Sequence, residues 1–335
     1  MRLLTTGTIR TRSSQPFGHQ HRPLLHTVVR RYSNTASVIG NPDPSERYHR
    51  TVKLPDGRTL TWAEAGSPTG FPCFMLHGFP GSRIEARGFE DIGRRHNPNR
   101  RPLDWPADLR YLARHLDLKR YSVLGGSGGG PHACTYILAC DYAIPPDELS
   151  SVDLLCSAAP WEAGTRDVLW SARLGSMAST YCPSLTARLL DLLLGMSKRF
   201  MASDTGKKLI DGIAVKGAAT ASKEIPEAEK HPEAVAALRE QLLRIFLEPF
   251  AQGSRGFVQE AYILTHPYGF HLEDVQFERK VKIWHGTKDT NSPIRMVRYM
   301  KERLPHCELY ELEGETHFTI RKYLEEVVVK LVEKR

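Results

Sequence analysis

The sequence predicts an α/β protein: a mainly parallel β-sheet flanked by helices, with a helical cap inserted over one end of the sheet. Three observations point there. Short apolar runs alternate with helix-period segments at both ends of the chain, the pattern of a parallel sheet covered on both faces. From Trp161 to about Gln252 the periodicity is helical throughout, which breaks the alternation once. The length of 335 residues suits one large domain with an insertion.

The elements follow in order. Arg50 to Glu64 alternates apolar and polar residues on either side of Asp56-Gly57, a hairpin signal. A buried strand over Phe71–Leu76 runs into His77-Gly78-Phe79-Pro80, and Arg83–His96 has helical composition. In Asp104–Leu118, Leu109, Leu112, Ala113 and Leu116 share one helical face. Tyr121–Leu124 is a short strand, a glycine run turns the chain, and Pro131–Tyr142 is apolar enough for a buried helix, with Pro131 suited to a first turn. Leu149–Pro160 is a further buried strand. Within the helical stretch Leu189–Leu194 and Ala234–Phe246 are the most apolar parts, divided by a polar segment near Ser203–His231. Then come a helix at Gly256–Thr265, a strand at Val281–Trp284, a helix at Pro293–Leu304, a strand at Glu308–Leu312 and a last helix from about Thr319. The division is a core in two parts, 49–160 and 253–335, around a cap at 161–252.

The formal charge of +8 belongs to the N-terminus. Residues 1–32 hold Arg2, Arg10, Arg12, Arg22, Arg30 and Arg31 with no acid, which leaves 40 basic against 38 acidic residues elsewhere. A nucleic-acid partner is therefore not expected. Arg, Ser and Thr enrichment, with Leu24, Leu25, Val28 and Val29 on one helical face, reads as a mitochondrial transit peptide cut after Tyr32; a basic tail without structure is the other reading. Residues 33–48 then form a linker, and the matrix is the expected location. No apolar run reaches the roughly 18 residues of a membrane span. The six cysteines show no metal-ligand spacing, and reduced, buried thiols suit a matrix protein. No metal or cofactor is expected, and oligomeric state is not written in the sequence.

The chemistry concentrates in Gly125-Gly126-Ser127-Gly128-Gly129. A serine becomes a nucleophile when a base can take its proton and a sharp strand-to-helix turn lifts its oxygen clear of the backbone. Strand and helix approach so closely there that side chains two before and two after the serine would collide, and Gly125 and Gly129 meet that need. Three plainer readings compete. A flexible linker does not join a buried strand to a buried helix; a phosphate loop would continue as G-K-[ST]; and the dinucleotide-type match at Gly128–Ala133 carries Pro131 where a pyrophosphate needs a backbone N–H.

With these residues in view, the chain resembles the α/β-hydrolase fold superfamily, of the serine-nucleophile, H-G-x-P type. The resemblance runs from about Val52 onward. It rests on His77-Gly78-Phe79-Pro80, the elbow at Ser127, Gly286-Thr287-Lys288-Asp289 and Gly314-Glu315-Thr316-His317, each after a strand and in the order Ser, acid, His. It implies His317 as general base, Asp289 as its orienting acid, and an oxyanion hole from the backbone N–H groups of Phe79 and Gly128, with His77 and Gly78 positioning the first. His132, His266, His271 and His285 read as structural or solvent-facing, and Glu162 as a weaker candidate acid. Epoxide hydrolases and dehalogenases share H-G-x-P but use aspartate where this chain has Ser127. Ester, thioester, lactone, amide and C–C hydrolysis all stay open. Trp161, Trp170, Met177, Tyr181, Leu193, Met196, Phe200 and Phe246 in the cap suggest an apolar substrate, although core packing within the cap explains them as well.

The resemblance has one break. In relatives the helix after H-G-x-P leads to another parallel strand, which lies inside the sheet beside the H-G-x-P strand. Here residues 97–103 join two helices directly, so one internal strand is absent and a gap or unprotected edge is expected. This raises a second reading, a catalytically impaired hydrolase-fold protein that is unstable or acts as a binding module.

Overall fold

The computed structural model describes residues 2–9, 47–48, 50–66, 69–81, 105–134, 148–221, 231–251, 253–275 and 277–332. Eight strands form one sheet: β1 (Arg2–Ile9), β2 (Arg50–Lys53), β3 (Thr59–Gly66), β4 (Pro72–Leu76), β5 (Tyr121–Gly126), β6 (Leu149–Leu155), β7 (Val281–Gly286) and β8 (Cys307–Leu312). Their spatial order is β2-β3-β1-β4-β5-β6-β7-β8. From β1 to β8 in that order all neighbours are parallel, while β3 runs antiparallel to both β1 and β2.

The placement of β1 corrects the expected gap. Leu3 pairs with Ala65 of β3 on one side and with Cys73 of β4 on the other. An N-terminal segment therefore occupies the slot that the resemblance assigns to the absent strand, in the same direction relative to β4. The physical reason is that β3 and β4 would otherwise present rows of unpaired N–H and C=O groups in the sheet interior; β1 pairs along its whole length with β3 and through Arg2–Leu4 with β4. Its sequence, with Thr5, Thr6, Thr8 and Ile9, has the β-branched content of a strand, and Leu4 is fully buried. The Arg-rich composition of residues 1–32 hides this signal. A cut after Tyr32 would remove β1 from the sheet described here.

Successive side chains of a strand point to opposite faces, and both faces are covered. Phe74, Leu76, Tyr121, Val123, Val152, Leu154, Val281 and Ile283 join a cluster with Leu109 and Leu112 of α1 (Trp105–His115) and Met296, Val297 and Met300 of a later helix, Ile294–Arg303. On the other face Cys73, Met75, Leu124, Leu155 and Trp284 pack with Ile320, Val327 and Leu331 near the C-terminus. The helical block comprises α2 (Trp170–Tyr181), α3 (Pro183–Ala202), α4 (Asp204–Ala221) and α5 (Pro232–Leu247). It returns to the sheet through α6 (Arg255–Thr265), followed by α7 (Ile294–Arg303) and α8 (Leu324–Val332). Within the polar stretch from Ser203 to His231, α4 covers Asp204–Ala221, and residues 222–230 lie outside the described residues. Tertiary partners explain this: α4 packs between α3 and α5 and ties Asp211 to Arg239 of α5 at 2.7 Å. The helix expected at 83–96 and the linker expected at 97–103 lie outside the described residues, as does most of the helix expected from Pro131 to Tyr142. Residues 129–134 of that helix are helical.

Candidate active site

Three strand ends bring the chemistry together. β5 ends at Gly126, and Ser127 follows with φ of +48°, in the left-handed region that a tight strand-to-helix turn imposes. The turn is held by backbone hydrogen bonds: Ser127 N–H donates to Leu155 O at 2.9 Å, and Ser127 O accepts from Gly130 at 3.0 Å and Ala158 at 2.7 Å. A Cβ on Gly129 would lie 2.1 Å from Leu76 O, and one on Gly125 would lie 2.9 Å from the Ala133 Cβ and from Gly129 O. Nothing larger than glycine fits at either position, as the elbow spacing anticipates.

β7 ends at Gly286 and delivers Asp289, whose side chain is fully buried. Its Oδ1 accepts from Asn291 N at 2.8 Å and Ser292 N at 3.0 Å, which leaves Oδ2 to accept from His317 Nδ1 at 2.6 Å. β8 ends at Leu312, and the following turn carries His317, whose Nε2 lies 2.9 Å from Ser127 Oγ. The Ser127 hydroxyl can donate to Nε2, and the buried Asp289 keeps the ring's proton on Nδ1. Glu162 is exposed in a 3₁₀ turn (Trp161–Ala163), and the carboxylate that His317 meets is that of Asp289.

Opposite the serine, a Cβ on Gly128 would lie 3.2 Å from Phe79 N and 3.0 Å from the Phe79 Cβ, so the two backbones meet beside Ser127. Among the described backbone hydrogen bonds neither Phe79 N–H nor Gly128 N–H donates. Gly78 allows the approach, since a Cβ there would stand 2.9 Å from the Ser127 Cβ. His77 is half-buried, its Nδ1 against Gly78 O. The Phe79 ring lies 4.6 Å from Phe257, which lies 5.2 Å from Phe250, and Leu264 abuts Gly128, so the wall beside the serine is aromatic and aliphatic.

Two histidines do more than the sequence indicates. His132, in the first turn after the elbow, is buried 3.0 Å from Glu260 of α6 and ties the elbow to that helix. His285 is fully buried, 3.4 Å from Asp289 Oδ2, with its Nε2–H donating to Ser292 O at 2.7 Å. Burial pushes its pKa below the usual imidazole value, against a smaller upward effect from Asp289. Its place in β7, four residues before Asp289, was the only available signal. Cys156, which follows β6 beside the elbow, is buried, and burial and then the Asp289 charge push its thiol up to about 12.

Core packing within the cap does not account for its large apolar side chains. Trp170, Met177, Tyr181, Leu193, Met196, Phe200 and Phe246 are between 48% and 78% exposed and so do not form a packed cap core; of the eight cap residues singled out, only Trp161 packs against the main core. The backbone helices are as expected, but the apolar faces point outward. Among the described residues no group of three or more metal-binding side chains occurs, and no helix is long and apolar enough to cross a membrane.

No protein-family model matches the sequence. Among curated proteins, a proline iminopeptidase of Xanthomonas citri is 31% identical over a segment that covers 28% of this chain and 36% of that protein, so the match spans little more than a third of its length. Among solved structures, an esterase from Rhodococcus sp. ECU1013 aligns with 86% of this chain and the whole of its own, at 15% identity and a TM-score of 0.51. An esterase from Exiguobacterium antarcticum aligns over 85% of this chain and 98% of its own, at 19% identity and a TM-score of 0.47. With helices on both faces of a mainly parallel sheet, a serine elbow after β5 and this likeness to the Rhodococcus structure, the chain has the α/β-hydrolase fold.

Proposed function

We propose that the protein is a serine hydrolase that cleaves an apolar ester, thioester or related carbonyl compound through an acyl-enzyme. The observation that carries this reading is His317 bridging Ser127 Oγ at 2.9 Å and Asp289 Oδ2 at 2.6 Å. In the first step Ser127 Oγ attacks the carbonyl carbon while its proton passes to His317 Nε2. The developing oxyanion accepts hydrogen bonds from Phe79 N–H and Gly128 N–H. The imidazolium, held by Asp289, then gives its proton to the leaving alcohol or thiol, and the C–O or C–S bond breaks. Water deprotonated by the same nitrogen attacks the acyl-serine, and the proton returns to Ser127 as the acid departs. The aromatic wall of Phe79, Phe250 and Phe257 favours an apolar acyl group.

The test is labelling with a fluorophosphonate probe, followed by turnover of nitrophenyl esters of rising acyl length. Wild-type protein is expected to label and Ser127→Ala to remain unlabelled; a folded wild type that does not label would sink the reading. The alternative of an impaired binding module arose from a sheet lacking a strand, and with β1 in that slot nothing favours it. The N-terminal composition still supports mitochondrial import, on the condition that Arg2–Ile9 is retained after entry. Intact mass of the protein recovered from the matrix tests this, and a form beginning after Tyr32 with full esterase activity would overturn the condition.

A further inference from the structure

We propose that the outer face of α2 and α3 is a docking surface for an anionic phospholipid bilayer. The amphipathicity of α2 is inverted. Ser176 and Ser179 are its buried residues, and Ser176 Oγ donates to Thr265 Oγ1 of α6 at 2.8 Å while Thr180 Oγ1 lies 3.2 Å from His266 Nε2. The large side chains Trp170, Leu174, Met177 and Tyr181, spaced four, three and four residues apart, lie on the opposite face and are 56% to 78% exposed. A helix that turns its serines inward and its Trp and Tyr outward is built for a second apolar phase. The neighbouring α3 repeats the pattern. Only Ala187 is buried, whereas Leu185, Leu189, Leu192, Met196 and Phe200 are 48% to 61% exposed along its length. These nine large apolar side chains, exposed on two consecutive helices, are an unusual surface for a soluble protein without a partner.

Charge selects the occupant. Residues 170–215 hold six basic side chains and three acids, Asp191, Asp204 and Asp211. All three acids are engaged: Asp191 accepts from Ser254 N at 2.8 Å, Asp211 pairs with Arg239, and Asp204 lies 3.6 Å from Lys207. Arg188, Lys198, Arg199 and Lys208 are exposed, with no carboxylate within ion-pair distance among the described residues. An apolar stripe edged by unmatched cations fits acyl chains below a layer of phosphate headgroups. A second copy of the chain fits less well, because a two-fold contact would set the same cations against each other. Trp170 and Tyr181, at the two ends of α2, have the ring chemistry that settles at headgroup level.

The experiment is co-sedimentation of the full chain with vesicles of phosphatidylcholine alone and of phosphatidylcholine mixed with phosphatidylglycerol, at low and raised salt. Binding is expected to the mixed vesicles only, with a blue shift of indole emission that Trp170→Phe removes. Lys198→Glu with Arg199→Glu should weaken it at least about tenfold, and Leu189→Ser with Met196→Ser should abolish it with the thermal transition unchanged. Failure of the folded wild type to bind, equal binding to both vesicle types, or a dimer that the Leu189/Met196 variant dissociates would each overturn the proposal. Because binding needs no turnover, it is read equally in Ser127→Ala, which separates it from the hydrolase reading.

Discussion

In the sheet the large apolar side chains are inside: Phe74, Tyr121 and Leu124 are fully buried and Trp284 is 1% exposed. In α2 and α3 the same residue types are outside, with Trp170 at 75%, Tyr181 at 78% and Leu192 at 61% exposed. Both regions show clean periodicity, so the difference does not lie in the pattern. Alternation in a strand inside a sheet covered on both faces buries both sets of side chains, whichever way each points. A surface helix has one inner face, and its apolar stripe can be turned to the protein or to something else. Periodicity therefore reports the element reliably, but reports burial only where every face is covered.

The largest expected effect is in the core region, at the elbow. Ser127→Ala or His317→Ala should lower kcat by roughly 10⁴- to 10⁶-fold, measured by ester turnover, with the melting temperature little changed. Wild-type turnover in His317→Ala would show that another base serves Ser127. A second core test concerns β1. Leu4→Ala should lower the unfolding free energy by about 2–5 kcal/mol, read from urea denaturation, because Leu4 is fully buried between β3 and β4. A change within about 0.5 kcal/mol would mean that the N-terminus is not a working part of the sheet, and the comparison would lose one of its buried members.

His285 gives a smaller, pH-dependent effect. Burial holds its folded pKa below the usual value of 6.5, so the unfolded chain takes up the proton first as pH falls. Stability from this residue is whole above about pH 6.5 and declines as the pH drops towards the folded value, by at most about 1.4 kcal/mol per pH unit. His285→Gln, which can keep the hydrogen bond to Ser292 O, should flatten that decline in a melting-temperature profile between pH 7 and pH 5; an unchanged slope would assign the decline to other groups. The smallest effect belongs to the helical block. Leu192→Ala should alter the unfolding free energy by less than about 0.5 kcal/mol, since the side chain is 61% exposed. A loss of 2 kcal/mol or more would show that this face is covered within the folded chain and would erase the contrast between the two regions.

Much of the site is legible residue by residue. The glycine spacing around Ser127 follows from backbone crowding that any such turn must meet, and Asp289 and His317 each stand just after an apolar strand. What joins them is not local. His317 stands 190 residues beyond Ser127, and only the parallel order of β5, β6, β7 and β8 brings their ends to one edge. The role of His285 against Asp289 was hidden because a histidine in a strand has no signature of what lies beside it.

The sequence by itself determined the α/β class and the elbow, because these depend on short-range sterics and on strand and helix periods, while Asp289 and His317 were singled out through the family resemblance. Only the tertiary structure decided that Arg2–Ile9 completes the sheet and that α2 turns its serines inward. Both outcomes depend on partners distant in sequence: the unpaired edges of β3 and β4 in one case, and Thr265 and His266 beneath α2 in the other. Composition cannot express a pairing, and for these two segments the pairing settles the role.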